Sequence, residues 1–140
     1  MKVSQHGNAY YVQVQKGEPV MASLTAFAKE HGLGAGMIRG IGALTHVELG
    51  FYELPTKTYH RKRFDEEYEL LNLTGNLSTV EGEPYVHAHV TLGDMAFNAF
   101  GGHLFEAEVA VVAELVVTPL EGSVAREMVE EIGLKLWCLA

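Results

Sequence analysis

The strongest constraint on the fold is an apolar period of two that recurs along most of the chain and is broken at glycine and proline. Tyr10 to Gln15 alternates aromatic or β-branched residues with glutamines, as a half-buried strand does, and Gly17-Glu18-Pro19 breaks it. A helical period follows. Pro19 suits a first helical turn, Met21, Leu24, Phe27 and Ala28 fall on one face up to Glu30, and His31-Gly32 offers a stop. Gly34 to Gly42 reads as a strand whose glycines let it bend or approach a neighbour closely. Leu44 to Leu54 alternates again, and the charged Thr56 to Glu67 reads as an exposed hairpin tip. In Tyr68 to Leu77, strict alternation places Tyr68, Leu70, Asn72, Thr74 and Asn76 on one face and Glu69, Leu71, Leu73, Gly75 and Leu77 on the other. Val86 to Leu92, Phe97 to Leu104 and Glu106 to Val117 are further strands, with a turn at Gly93-Asp94. Ser123 is placed to cap a short helix over Val124 to Ile132, and Leu134 to Leu139 could be a last strand. About seven strands with one or two helices leave too few helices for parallel crossovers, so the expected class is α+β with a mainly antiparallel sheet.

A chain of 140 residues is the common size for one domain, and residues 1–140 show no linker or internal repeat. The first residues contain no apolar run that could serve as a signal peptide, and Val109 to Val117, interrupted by Glu114, is too short to cross a bilayer. Cys138 stands alone, which suits a reducing compartment, so a cytoplasmic location and no membrane partner are expected. The formal charge of −8 opposes non-specific contact with phosphates. The basic cluster Arg61-Lys62-Arg63 is soon followed by Asp65-Glu66-Glu67, which disfavours direct DNA binding.

Three of the seven histidines have a spacing that suits metal chemistry. His87 and His89 flank Ala88 within a strand, so both rings project from one face with Cβ atoms about 7 Å apart. His103 lies on the return strand, where Gly101-Gly102 would let its backbone come close. Two imidazoles on one strand and a third beside them form a tripod for zinc or another divalent transition metal, with the fourth position open to water. Zinc lowers the pKa of bound water to about 7, which would make metal-dependent chemistry on a small molecule available. Three ordinary histidines lining a polar cleft would show the same spacing, and it leaves that alternative open. An enzyme would also need an acid or base; Glu106 and Asp94 are near in sequence, but each reads better as a solvated or capping carboxylate, and no catalytic residue is assigned. His6, His31, His46 and His60 carry no ligand pattern, and His31 falls where it would meet the helix dipole. Gly40-Ile41-Gly42 lacks the fuller glycine fingerprint of a phosphate loop and reads as a bent strand.

Four ordered blocks resemble the PPC domain family, the "plants and prokaryotes conserved" domain of unknown function, whose bacterial members also carry the label of DNA-binding protein with a PD1-like motif. They are Gly40-Ile41-Gly42-Ala43-Leu44, Tyr68-Glu69-Leu70-Leu71-Asn72-Leu73-Thr74-Gly75, Val86-His87-Ala88-His89-Val90-Thr91-Leu92-Gly93-Asp94 and Gly101-Gly102-His103-Leu104. The resemblance implies an α/β domain with a mainly antiparallel sheet, assembled as a homotrimer, with metal on His87, His89 and His103. It also suggests two other roles, DNA binding or transcription association, and protein–protein assembly. In plant members an AT-hook precedes the domain and contacts the minor groove. This chain has no Arg-Gly-Arg-Pro core, and the plant Gly-Arg-Phe-Glu-Ile-Leu motif stands here as Glu66-Glu67-Tyr68-Glu69-Leu70-Leu71, with two positions turned acidic.

Overall fold

The computed structural model describes residues 1–139. In chain order the elements are β1 (Lys2–His6), β2 (Ala9–Gln15), α1 (Val20–Glu30), β3 (Gly36–Glu53), β4 (Thr58–Phe64), β5 (Tyr68–Val80), β6 (Glu83–Gly93), β7 (Ala99–Pro119), β8 (Arg126–Val129) and β9 (Leu134–Trp137). The first seven strands form one sheet in the order β1-β2-β7-β6-β5-β3-β4, and β8 and β9 form a separate pair. Every strand pairing is antiparallel, so the α+β, mainly antiparallel reading holds, with one helix.

The two longest strands organise the sheet. β3 pairs with β5 through Gly36–Leu44 and also with β7 along most of its length, so β3, β5, β6 and β7 close into a ring. Such closure needs bent strands, and the bends lie at glycine: the β3–β5 register shifts between Gly40 and Gly42. A Cβ on Gly42 would stand 2.2 Å from Val112 O, so no larger residue fits this crossing. β6 pairs with β7 only where His89–Gly93 meets His103–Ala99. Beyond that the two strands part, and α1 packs against both. Its Val20, Leu24, Phe27 and Ala28 are buried among Leu44, Leu73, Leu92, Leu104 and Leu115. Complete burial of each large apolar side chain contributes about 1.5–3 kcal/mol. Pro19 is the helix N-cap, and Glu106 supplies the missing acceptor: its carboxylate takes the Met21 N–H at 2.8 Å and the Ala22 N–H at 3.1 Å. His31 and Gly32 end α1, with Gly32 at φ 63°.

Several expectations from the sequence are corrected. The segments read as Gly34 to Gly42 and Leu44 to Leu54 are joined in one bent strand, Gly36–Glu53, and those read as Phe97 to Leu104 and Glu106 to Val117 in another, Ala99–Pro119, with Phe97 left in the turn. The charged stretch after Pro55 contains β4, an edge strand so exposed that no apolar period marks it, and polar β1 escapes notice for the same reason. Strict alternation fails in β5. Its register against β6 shifts between Leu70 and Asn72, so Tyr68 and Leu70 point inward with Leu73, Gly75 and Leu77. The expected helix over Val124 to Ile132 does not form. A helix that short is marginal without packing, whereas Gly133 at φ 79° permits a turn that pairs Arg126–Val129 with Trp137–Leu134. This hairpin lies on the sheet: Thr79 N–H donates to Val124 O at 2.8 Å, and Tyr52 O–H to Ile132 O at 2.6 Å.

Candidate metal centre

The site grows from the alternation of β6. Val86, Ala88 and Val90 face the core, so His87 and His89 face outward together. On β7, His103 is the direct cross-strand partner of His89. Gly101 makes that pairing close: a Cβ there would stand 2.1 Å from Val90 O. The three imidazoles converge, each offering a nitrogen within 4.8 Å of the others. Their ring centroids are 5.1 Å (His87–His103), 5.2 Å (His87–His89) and 5.4 Å (His89–His103) apart. Ligand nitrogens about 3.4 Å apart suit an ion bound at 2.0–2.1 Å.

The electrostatics favour neutral, lone-pair-bearing rings. Burial, then the charge of Arg126, lowers the His87 pKa to about 4. Burial, then the neighbouring His87 and His89, lowers that of His103 to about 4 as well. His103 is only 9% exposed, and its Nδ1 is buried with no hydrogen-bond partner among the described residues. An orphaned nitrogen on His103, beside the likewise neutral His87 ring, fits a borderline-soft divalent ion, which imidazole ligates through such a lone pair. The Tyr59 and Phe105 rings pack on His103 at 5.2 and 4.8 Å, and Arg61 covers Phe105 at 3.7 Å while its Nε pairs with Glu48 at 2.8 Å.

The structure gives both acids other work. Glu106 caps α1, and Asp94 accepts the Ala96 and Asn98 N–H groups at 2.9 and 2.8 Å, which closes the β6–β7 turn. The remaining histidines lie elsewhere: His31 Nδ1 meets Phe27 O at 3.0 Å, His46 meets Asp65 at 3.0 Å, His60 meets Glu53 at 3.3 Å, and His6 meets Ser4 at 2.9 Å. Sequence reasoning missed Arg126, whose Nη2 lies 3.3 Å from His87 Nδ1. Only the fold-back of the C-terminal hairpin brings it there, and no spacing in the sequence signals that approach.

The profile of the Plants and Prokaryotes Conserved (PCC) domain matches residues 1–121. The chain belongs to this family. Three solved structures similar to this PCC-domain chain are each 34% identical to it. A protein from Bacteroides thetaiotaomicron, provisionally called DNA-binding, superposes with a TM-score of 0.95 over 98% of this chain and 96% of its own. A plant- and prokaryote-conserved (PPC) protein from Pyrococcus horikoshii gives 0.87 over 99% and 94%. A protein from Archaeoglobus fulgidus described as metal-containing gives 0.88 over 99% and 96%. No curated protein matches the chain. The part of this PCC-domain chain that holds all three histidines thus lies inside the family match, whereas Arg126 lies beyond it. Among the described residues no helix is long and apolar enough to cross a membrane.

Proposed function

We propose that the chain binds one divalent transition-metal ion, zinc in the first instance, through His87, His89 and His103. The observation that carries this reading is the convergence of three imidazoles, each offering a nitrogen within 4.8 Å of the others, in a cluster where His103 Nδ1 is buried with no hydrogen-bond partner among the described residues. The metal-containing relative from Archaeoglobus supports it. Three histidines leave a fourth coordination position for water or a ligand, and zinc held in this way brings bound water to a pKa of about 7. The test is metal content per chain after purification without chelators, under several metal supplies, for the wild type, His87→Ala and His103→Ala. One equivalent in the wild type and loss in both variants is expected; a metal-free wild type under every supply overturns the reading.

The same proposal includes a homotrimer in a cytoplasmic setting. Val3, Tyr11 and Ile41 are exposed and line one groove on the outer face of β1, β2 and β3, which supports burial of that face against another copy. Solution mass decides: three chain masses are expected, and a strict monomer refutes it.

A second reading, direct DNA binding, draws on the name given to the Bacteroides relative. The charge distribution works against it. In the cluster Arg61-Lys62-Arg63, Arg61 pairs with Glu48 and Arg63 with Asp65, so two of the three cations are already neutralised. A mobility shift at low salt that weakens steeply as salt rises would favour this second reading.

A further inference from the structure

Arg126 on β8 is only 9% exposed, yet no carboxylate among the described residues pairs with it. Its acceptors are all neutral. Nε–H donates to Ser78 Oγ at 2.8 Å, Nη1 to Lys135 O at 3.1 Å, and Nη2 to Asn76 Oδ1 at 3.0 Å and His87 Nδ1 at 3.3 Å. The Tyr85 and Trp137 rings lie 5.1 and 5.7 Å from its Cζ. A buried cation normally has its counter-charge nearby. Here the nearest strong feature is the three-histidine cluster, which is itself suited to a second cation.

The hydrogen-bond chemistry of His87 sharpens the point. A guanidinium only donates, so His87 Nδ1 accepts from Arg126. If Nδ1 binds a metal, its lone pair is no longer available to Arg126. If Nε2 binds the metal, the neutral ring carries its proton on Nδ1, which then has no lone pair to offer. Whichever nitrogen ligates, Nη2 loses this acceptor. Nη1 uses only one of its two N–H groups on the described residues. The loaded site therefore leaves an N–H on each terminal nitrogen without an acceptor among the described residues, and such guanidinium N–H groups bind a carboxylate by charge-assisted hydrogen bonds.

Asn76, His87 and Trp137, all contacts of Arg126, also line a groove of about 600 Å³. His89 adds a second ligand from the cluster, and Met37, Leu120 and Val124 make the rest of that wall apolar. Resting on the metal reading above, we propose that the loaded site binds a small carboxylate with an apolar body. The carboxylate lies between the ion and Arg126 and supplies the negative charge that the protein does not, while the body occupies the groove. A neutral amide of the same shape lacks the charge, and acetate lacks the body.

The test uses the full chain loaded with zinc and freed of excess metal, titrated by calorimetry with hexanoate, hexanamide and acetate. Hexanoate is expected to bind at least about tenfold more tightly than either control, a difference of the size given by charge-assisted hydrogen bonds. Arg126→Gln is expected to keep its zinc and lose most of the preference for hexanoate over hexanamide. If Arg126→Gln does not fold, Arg126→Lys keeps the charge without the fork and is expected to lose several-fold of that preference. Equal affinity of the zinc-loaded wild type for hexanoate and hexanamide overturns the proposal and leaves the metal reading standing. An unchanged preference in the folded variant also overturns it, because Arg126 would then serve only to hold the hairpin. A wild type that retains no zinc fails the metal reading, and this proposal fails with it.

Discussion

Gly101→Ala tests how the sheet assembles the three-histidine cluster. Gly101 pairs with Thr91, one residue pair away from Gly102–Val90 and two from His103–His89. A Cβ at Gly101 would stand 2.1 Å from Val90 O, 3.1 Å from Val90 C and 3.2 Å from Thr91 Cα. All three are backbone atoms, so no side chain can swing aside to make room. The strands must part by roughly 1 Å, an overpacking that costs about 1–3 kcal/mol. Each ladder hydrogen bond weakened nearby adds about 0.5–1.5 kcal/mol. A total loss of about 2–4 kcal/mol follows, which moves a urea midpoint down by roughly 1–2 M. The same parting draws His103 away from His87 and His89, and metal affinity is expected to fall about 10–100-fold, the usual loss when groups that orient a ligand are disturbed. Gly102→Ala is the control, since its Cβ would meet Gly50 O at 3.0 Å, on the β3 side. It is expected to cost less stability and to affect metal much less. Denaturant titration and chelator competition on both variants provide the readout. A Gly101→Ala protein within about 0.5 kcal/mol of wild type and with unchanged metal affinity would refute the argument that this close approach positions the cluster.

Three further outcomes follow from the same geometry. The metal-free protein is expected to lose stability as pH falls from about 6.5 to about 4, because His87 and His103 stay neutral when folded while the unfolded chain binds protons there. Melting temperature against pH checks this, and a flat profile through that window contradicts it. Glu106→Ala removes the acceptor of two N–H groups at the start of α1 and is expected to cost about 1–2 kcal/mol in urea unfolding, with metal content unchanged. Loss of metal in that variant would instead place Glu106 in the site. Phe27→Ala empties the buried face of α1 and is expected to cost about 3–5 kcal/mol by the same measurement.

The parts of the fold that were legible in the sequence were those governed by local periodicity. Tyr10 to Gln15 and Val86 to Leu92 alternate without interruption, and both are strands. Leu24, Phe27 and Ala28 keep helical spacing, and they are the buried face of α1 with Val20. The outward pairing of His87 and His89 was legible for the same reason, because two residues on one strand share a face whatever surrounds them. The placement of His103 rested on a turn and two glycines, and the register bears it out. What stayed hidden depends on contacts distant in sequence. The bulge after Leu70 reverses the face of half of β5, and nothing in Leu70-Leu71-Asn72 marks it. The strand character of Arg126–Val129 comes from pairing with Leu134–Trp137 and from anchoring on β5, which local helix propensity cannot register. Arg126 itself became visible only once that hairpin lay beside His87.

Whether a metal sits on the three histidines is read directly from a crystal structure with diffraction recorded on both sides of the zinc absorption edge. One strong anomalous peak per chain is expected, about 2.0–2.1 Å from a ring nitrogen of each of His87, His89 and His103. A peak elsewhere, or zinc-supplemented crystals with no peak among those rings, would contradict the metal reading.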